Sequence, residues 1–173
     1  MIRAYPEAMQ IVALSRAVAA GAIVAGALGC SKPDLGVPPQ ACSTQAVNAG
    51  ESELMEPGGS CIDCHSSYEG PSFVIAGTMM NGLHDDTNCA GVGDVTVAIT
   101  GADGVRAELV TNASGNFKLE RWPGTNLFPY TAEVTRAGVI SKMLTPRQSG
   151  ENDCNACHTA AGLNAAPGRI VMP

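Results

Sequence analysis

The sequence Cys-X-X-Cys-His occurs twice in this chain, at residues 61–65 (CIDCH) and 154–158 (CNACH). Two thiols spaced in this way lie on one tight turn. Each can then form a thioether with a haem vinyl group, and the histidine that follows is placed to bind the iron. We therefore predict two covalently bound haem c groups. The predicted thioether residues are Cys61, Cys64, Cys154 and Cys157, and the predicted proximal iron ligands are His65 and His158.

The N-terminus has the pattern of an export signal. Arg3 and Arg16 precede an uncharged apolar run at residues 17–29, which ends in small residues. The run has the length of a signal-peptide core and is too short to cross a bilayer comfortably. We predict a signal peptide over residues 1–29 and an exported protein.

Residues 27–30 (ALGC) are similar to a bacterial lipobox, although Ala27 stands where leucine is usual. This similarity implies lipidation of Cys30, and Ser31 is compatible with sorting to the outer membrane. The predicted location is therefore the cell envelope, on the periplasmic or the surface face of the outer membrane. A cleaved signal without lipid and an uncleaved anchor are the alternatives.

Two of the seven cysteines, Cys42 and Cys89, have no predicted role in haem attachment or lipidation. In an oxidising compartment such a pair indicates a disulfide. Two unconnected thiols remain the alternative, because a sequence does not show whether their Cα atoms come within bridging distance.

The chain is acidic, with 10 Lys and Arg against 16 Asp and Glu and a formal net charge of −6. This balance argues against nucleic acid as a partner and favours redox partner proteins with a basic surface. Contact with a membrane is predicted through the lipid anchor only.

The chain after the signal divides by composition into four segments. Residues 30–54 are rich in Pro, Gly, Ser and Ala and are predicted to be a lipid tether or linker. Residues 55–71 and 149–173 are the first and second haem-binding segments. Residues 72–148 have the alternating pattern of strands. Strands are predicted at residues 73–79, 95–100, 105–111, 116–119, 130–136 and 139–143, with a hairpin turn at 101–104.

The strand series resembles the carboxypeptidase regulatory-like, or transthyretin-like, β-sandwich. Residues 75–78, 95–99, 109–117 and 130–138 carry the resemblance, which spans about residues 72–142. It implies a mainly β fold, an antiparallel sandwich with two loop or short-helix haem-binding segments at its ends. We expect the two haems at opposite ends of this module. The resemblance implies binding or scaffolding, and no catalysis.

The chain as a whole resembles small secreted bacterial dihaem c-type cytochromes. This implies an electron carrier that relays single electrons at the cell envelope, toward extracellular acceptors or within a haem-bearing oligomer or polymer. One alternative is a dihaem enzyme such as a peroxidase, which needs an open iron position and acid–base residues. A second is a zinc-binding or redox-thiol protein.

The distal iron ligands follow from counting. With a histidine in each motif, His84 is the only one left, so at most one haem can have two histidines from this chain. Met55 is the candidate for the first haem, whereas Met143 and His84 compete for the second. Met79 and Met80 are predicted to pack in the core, although either could reach a haem.

Three charged residues have two interpretations each. Arg169 either pairs with a haem propionate or is a surface charge near the C-terminus. Asp85 and Asp86 either orient the His84 imidazole or are loop charges. A calcium site in this loop is a weaker interpretation, because the EF-hand spacing is absent.

Overall fold

A computed structural model describes residues 52–66, 70–86 and 90–172 of the chain. The predicted signal peptide, most of the tether, and the cysteines at positions 30, 42 and 89 lie outside the described residues, as does the side chain of Cys64. The lipidation and disulfide predictions therefore stay predictions.

The described chain is mainly β, as predicted. It contains two short helices and seven strands: α1 Cys61–His65, β1 Ile75–Met80, β2 Thr96–Thr100, β3 Arg106–Val110, β4 Asn116–Leu119, β5 Thr131–Arg136, β6 Val139–Lys142, α2 Cys154–Cys157 and β7 Ile170–Val171. The six strands expected between the motifs are present. Among the described residues, no helix is long and apolar enough to cross a membrane.

Four strands form an antiparallel sheet in the order β3-β2-β5-β6. Val97 of the central strand β2 lies opposite Leu109 on one side and Val134 on the other. The predicted turn joins β2 to β3, where Gly101 N donates to Val105 O over 3.0 Å. Alternation of apolar and polar residues directs one face of this sheet into the core.

A second sheet has the order β4-β1-β7. Strand β1 pairs antiparallel with β4 and parallel with β7, and all six of its residues are buried. The second predicted haem-binding segment supplies β7, which the sequence analysis did not predict. A strand of two residues is too short to show an alternating pattern.

The hydrophobic core draws on both sheets, which is consistent with a β-sandwich. Its buried members are Ile75, Met79, Val92, Val95, Val97, Ile99, Phe117, Leu127, Tyr130 and Val134. Met79 is fully buried and Met80 is 3% exposed, so both pack in the interior as predicted. The transthyretin-like connection itself stays a prediction.

The two predicted haem-binding segments lie side by side on β1, and not at opposite ends of the sandwich as we expected. Ala76 N donates to Asn152 O over 3.3 Å, and farther along the same strand Met79 pairs with Ile170. The second segment therefore runs beside β1 at both of its ends, and α2 lies between these two contacts. The first segment reaches β1 as well, through a bond of 3.0 Å from Gly58 N to Thr78 Oγ1.

Candidate functional site

The second motif folds into a single helical turn. Asp153 caps its N-terminus, with Oδ1 accepting from Asn155 N over 3.2 Å, and His158 N donates to Cys154 O over 2.9 Å at the other end. The turn places Cys154 and Cys157 three residues apart, on one face of the helix. This is the spacing that attachment of one haem through two thioethers requires.

The same aspartate also caps the first motif. Asp153 Oδ2 accepts from Ile62 N over 2.9 Å and lies 2.8 Å from Ser60 Oγ. Burial raises the pKa of Asp153, and the neighbouring Asp63 carboxylate raises it further, while the hydrogen bonds from Ile62 and Ser60 oppose this shift. One carboxyl group therefore joins the starts of both helices. Sequence analysis missed this role, although an aspartate directly before a helical turn is a usual N-cap signal.

The histidines of both motifs are held in the same way. His65 Nδ1 lies 3.0 Å from Pro71 O, and His158 Nδ1 lies 2.8 Å from Gly168 O. A carbonyl oxygen only accepts, so each Nδ1 carries a proton, and in the neutral imidazole Nε2 then has the lone pair. A metal-ligating histidine needs this arrangement, because the second hydrogen bond fixes the tautomer and the ring orientation.

His84 shares this arrangement. Its Nδ1 lies 2.8 Å from Ala160 O, two residues after the histidine of the second motif. The loop that carries His84 is tied to the same segment, because Arg169 N donates to Leu83 O over 2.8 Å. The structure thus brings His84 to the second motif, with its Nδ1 donating to a carbonyl, and the neutral imidazole then has its lone pair on Nε2.

Glycine at position 168 permits this close approach. A Cβ atom there would come within 2.4 Å of Leu83 O and 3.1 Å of His84 Nδ1, and the φ angle of 151° is unfavourable for other residues. The carbonyl of the same residue accepts from His158. Gly168 therefore bonds to the His158 imidazole and lies beside the His84 imidazole.

The surroundings of His65 are aromatic. Its ring stacks on Phe73 with the ring centroids 4.1 Å apart. Lys118, on β4, places its Nζ 5.2 Å from the centroid of the Phe73 ring. A Cβ atom at Gly70 would come within 2.8 Å of His65 Nδ1, so only glycine leaves room for the ring at this position. Packing and a backbone hydrogen bond together fix the imidazole.

Arg169 is not a surface charge, and that interpretation is wrong. Its side chain is 2% exposed, and the guanidinium lies 3.4 Å from Gly58 O and 3.3 Å from Asp85 O. Burial lowers its pKa, which the charges of Asp85 and Asp86 oppose. Arg169 therefore joins the first segment, the His84 loop and the C-terminal segment. Pairing with a propionate stays a prediction.

The two methionine candidates lie in different surroundings. Met55 is half-buried in the first segment, and its carbonyl oxygen accepts from Asn116 Nδ2 over 2.7 Å. Met143 is half-buried against the hydrophobic core, and its backbone N–H donates to Ala132 O in the four-stranded sheet. These contacts do not test whether Met55 or Met143 binds iron, so both assignments stay predictions.

The two thiols of the second motif are both half-buried and have different neighbours. Cys154 packs against the core, where burial raises the pKa of its thiol to about 12. Gly77 permits this packing, since a Cβ atom there would come within 2.8 Å of Cys154 Cβ. The sulfur of Cys157 lies 3.5 Å from Asn164 Nδ2. A protonated thiol such as Cys154 is a poor nucleophile at neutral pH.

The donors at the motifs suit a haem. Within residues 52–66, 70–86 and 90–172, no group of three or more His, Cys, Asp or Glu side chains is placed to hold a metal ion. A haem iron takes four nitrogens from the porphyrin and needs only one or two ligands from the protein. Single imidazoles with a fixed tautomer meet that need.

Comparison with known proteins gives no further assignment. No protein-family model, no curated protein and no solved structure matches the chain. The likeness to cytochromes therefore depends on the two motifs and on the geometry around them.

Proposed function

We propose that this protein is a dihaem c-type cytochrome that relays single electrons at the cell envelope. The observation that carries the proposal is that His65 and His158 make the same hydrogen bond. In each residue Nδ1 donates to a backbone carbonyl oxygen. A covalently bound haem supplies a one-electron iron couple. In this arrangement the histidines present their Nε2 lone pairs, and the cysteines before them provide the covalent attachment.

The contact between the two motifs supports transfer within one chain. Asp153 caps both helices, and Asn155 Nδ2 donates to Gly59 O over 2.8 Å. These contacts hold the two attachment segments in a fixed relation. An electron carrier with two centres benefits from such rigidity, because little reorganisation accompanies a change of charge.

We assign His84 to the second site as the distal ligand, in preference to Met143. Its anchored Nδ1 and its contact with the segment that follows His158 support this assignment. The first site then has no second histidine from this chain, and Met55 is the candidate there. The two sites are chemically unequal, and a methionine ligand favours the higher potential.

The proposal includes export, lipid attachment at Cys30, and a redox partner with a basic surface. The net charge of −6 supports the last point. We propose no catalytic residue. Assembly into an oligomer or polymer is compatible with the same chemistry.

The test is expression of the full chain in a host that has a haem-attachment system. Two haems should remain on the chain after denaturation, as measured by mass and by the pyridine haemochrome spectrum, and titration should give two one-electron steps. The variant Cys61→Ser/Cys64→Ser should keep one haem. A chain that is exported without covalent haem, or that binds zinc instead, would refute the proposal. Rapid turnover of hydrogen peroxide would favour an enzyme over a carrier.

A further inference from the structure

The side chain of Asn155 belongs to the second motif, but it bonds only to other parts of the chain. It is buried, and its Oδ1 accepts from Thr78 N over 3.0 Å. Its Nδ2 donates to Gly59 O over 2.8 Å and to Thr78 Oγ1 over 3.0 Å, and lies 3.6 Å from Cys61 Sγ. The carboxamide therefore satisfies its hydrogen-bonding capacity on strand β1 and on the residues around Cys61.

Thr78 extends this network toward Met55. The buried hydroxyl of Thr78 accepts from Gly58 N over 3.0 Å and donates to Asn116 Oδ1 over 2.8 Å. Asn116 Nδ2 in turn donates to Met55 O over 2.7 Å. A continuous series of hydrogen bonds thus runs from the residue proposed as a ligand of the first site to a cysteine of the same site.

The network is sensitive to the loss of any member. A buried polar group that loses its partner keeps the full cost of desolvation. Removing the Asn155 carboxamide takes away one partner of Gly59 O and the partner of Thr78 N. The residues before Cys61 would then lose a direct bond to α2.

We propose that Asn155 is a positioning residue of the first haem site, so that the second motif completes the site built on the first. This inference rests on the proposed function, because it concerns where the first haem is held. Asn155 acts through the backbone at Gly59 and through the sulfur of Cys61. Hydrogen bonds to ligand atoms and their neighbours tune the potential of a metal centre.

The test compares Asn155→Ala with Ala156→Ser, a change at an exposed position of the same motif. Haem occupancy is read for each motif separately, by mass spectrometry of the peptides that contain residues 61–65 and 154–158. The two redox steps are assigned with the variants Cys61→Ser/Cys64→Ser and Cys154→Ser/Cys157→Ser, which each keep one attachment site.

We expect Asn155→Ala to lower occupancy at the first motif more than at the second. We also expect the midpoint of the first site to move by the equivalent of about tenfold in the oxidised-to-reduced ratio, which is about 59 mV for a one-electron couple. Ala156→Ser should change neither value. Equal changes at both sites would indicate general loosening and would overturn the inference, as would an unchanged first site.

A second pair of variants applies if Asn155→Ala does not fold. Thr78→Val preserves the shape of the side chain and removes the hydroxyl, whereas Thr78→Ser keeps the hydroxyl. We expect only Thr78→Val to shift the first site, and identical behaviour of the two variants would contradict the inference. A wild-type chain without covalent haem refutes the proposed function. If the wild-type chain carries two haems, and neither Asn155→Ala nor Thr78→Val changes the occupancy or the midpoint potential of the first site, only this inference is refuted.

Discussion

Ile62 N donates to Asp153 Oδ2 over 2.9 Å, so a residue inside the first motif is bonded to the residue directly before the second. The two positions are 91 residues apart in the chain. Buried contacts between such distant segments form only in the folded state. Their loss should therefore change both the stability of the fold and the geometry of the site.

Asp153 should make the protein less stable as the pH rises. Its pKa is raised in the folded state, mainly by burial, so the folded chain holds this proton more tightly than the unfolded chain. Stability then falls as the pH increases from the usual value of 3.8 through the raised one. In Asp153→Asn this part of the pH dependence should be absent. Urea unfolding of the haem-free protein between pH 4 and 8, in both proteins, provides the measurement; parallel curves would contradict the expectation.

Asp103 should make the protein less stable as the pH falls. Its carboxylate accepts hydrogen bonds from the backbone of Asn126, Thr125 and Val105 and from Trp122 Nε1, and together these lower its pKa to about 2. The stability that this carboxylate contributes is complete above its usual pKa of 3.8 and is lost as the pH falls toward 2.

Replacement by Asp103→Asn should therefore weaken the protein at neutral pH and flatten its acid unfolding curve. Asp94→Asn is the control, because Asp94 is exposed and its φ of 58° is one that asparagine adopts readily. Thermal unfolding monitored between pH 2 and 7 gives the comparison. If the melting temperature falls with the same slope in acid for Asp103→Asn and wild type, the Asp103 carboxylate does not contribute to the pH dependence of stability.

Loss of His84 should change only one haem. In His84→Ala the second site loses the proposed imidazole, so its ferric low-spin spectrum should change while the spectrum of the first site stays as it is. Electron paramagnetic resonance resolves the two sites. Asp86→Ala, at an exposed position of the same loop, should leave both signals unchanged. If both signals are unaltered in His84→Ala, His84 is not the distal ligand of the second site.

A methyl group at position 168 should disturb the His84 loop. In Gly168→Ala the new Cβ atom would meet Leu83 O at 2.4 Å, and we expect a loss of about 2 kcal/mol in the free energy of unfolding. Gly150→Ala is matched in having a positive φ, of 88°, but has open space around its Cβ position. Chemical denaturation of both variants separates the clash from the backbone strain, and equal losses would argue against the clash.

The two thiols of the second motif should react at different rates before haem is attached. Because burial raises the pKa of Cys154 to about 12, its thiol is protonated at pH 8 and should be alkylated at least about tenfold more slowly than that of Cys157. Iodoacetamide labelling followed by peptide mass spectrometry measures both rates. The difference should vanish in guanidinium chloride, and equal rates in the folded protein would contradict the burial of Cys154.

Local pattern explains why the strands could be predicted. Val97 and Ile99 alternate with polar or small residues in β2, and the glycines at positions 101 and 104 mark the turn that follows. The two motifs are likewise recognisable because their chemistry requires fixed spacing. Such signals lie within a few residues of each other, so one sequence is sufficient to detect them.

The arrangement of the site depends on contacts that no local pattern encodes. Asn155 occupies a variable position of its motif, and nothing in its neighbours indicates a bond to Gly59. A surface charge near the C-terminus is one of the two interpretations of Arg169 from the sequence, whereas the fold buries it between three segments. The hydrogen bond from His84 to Ala160 depends in the same way on how two loops meet.

Strand β7 comes last among the described elements and pairs with β1, the first strand. Because synthesis runs from the N-terminus, the first motif leaves the ribosome long before residues 152–171 can join the sheet. During that interval Gly59 O and Thr78 N lack their hydrogen bonds to the Asn155 carboxamide. A segment synthesised later therefore closes the environment of the motif synthesised first.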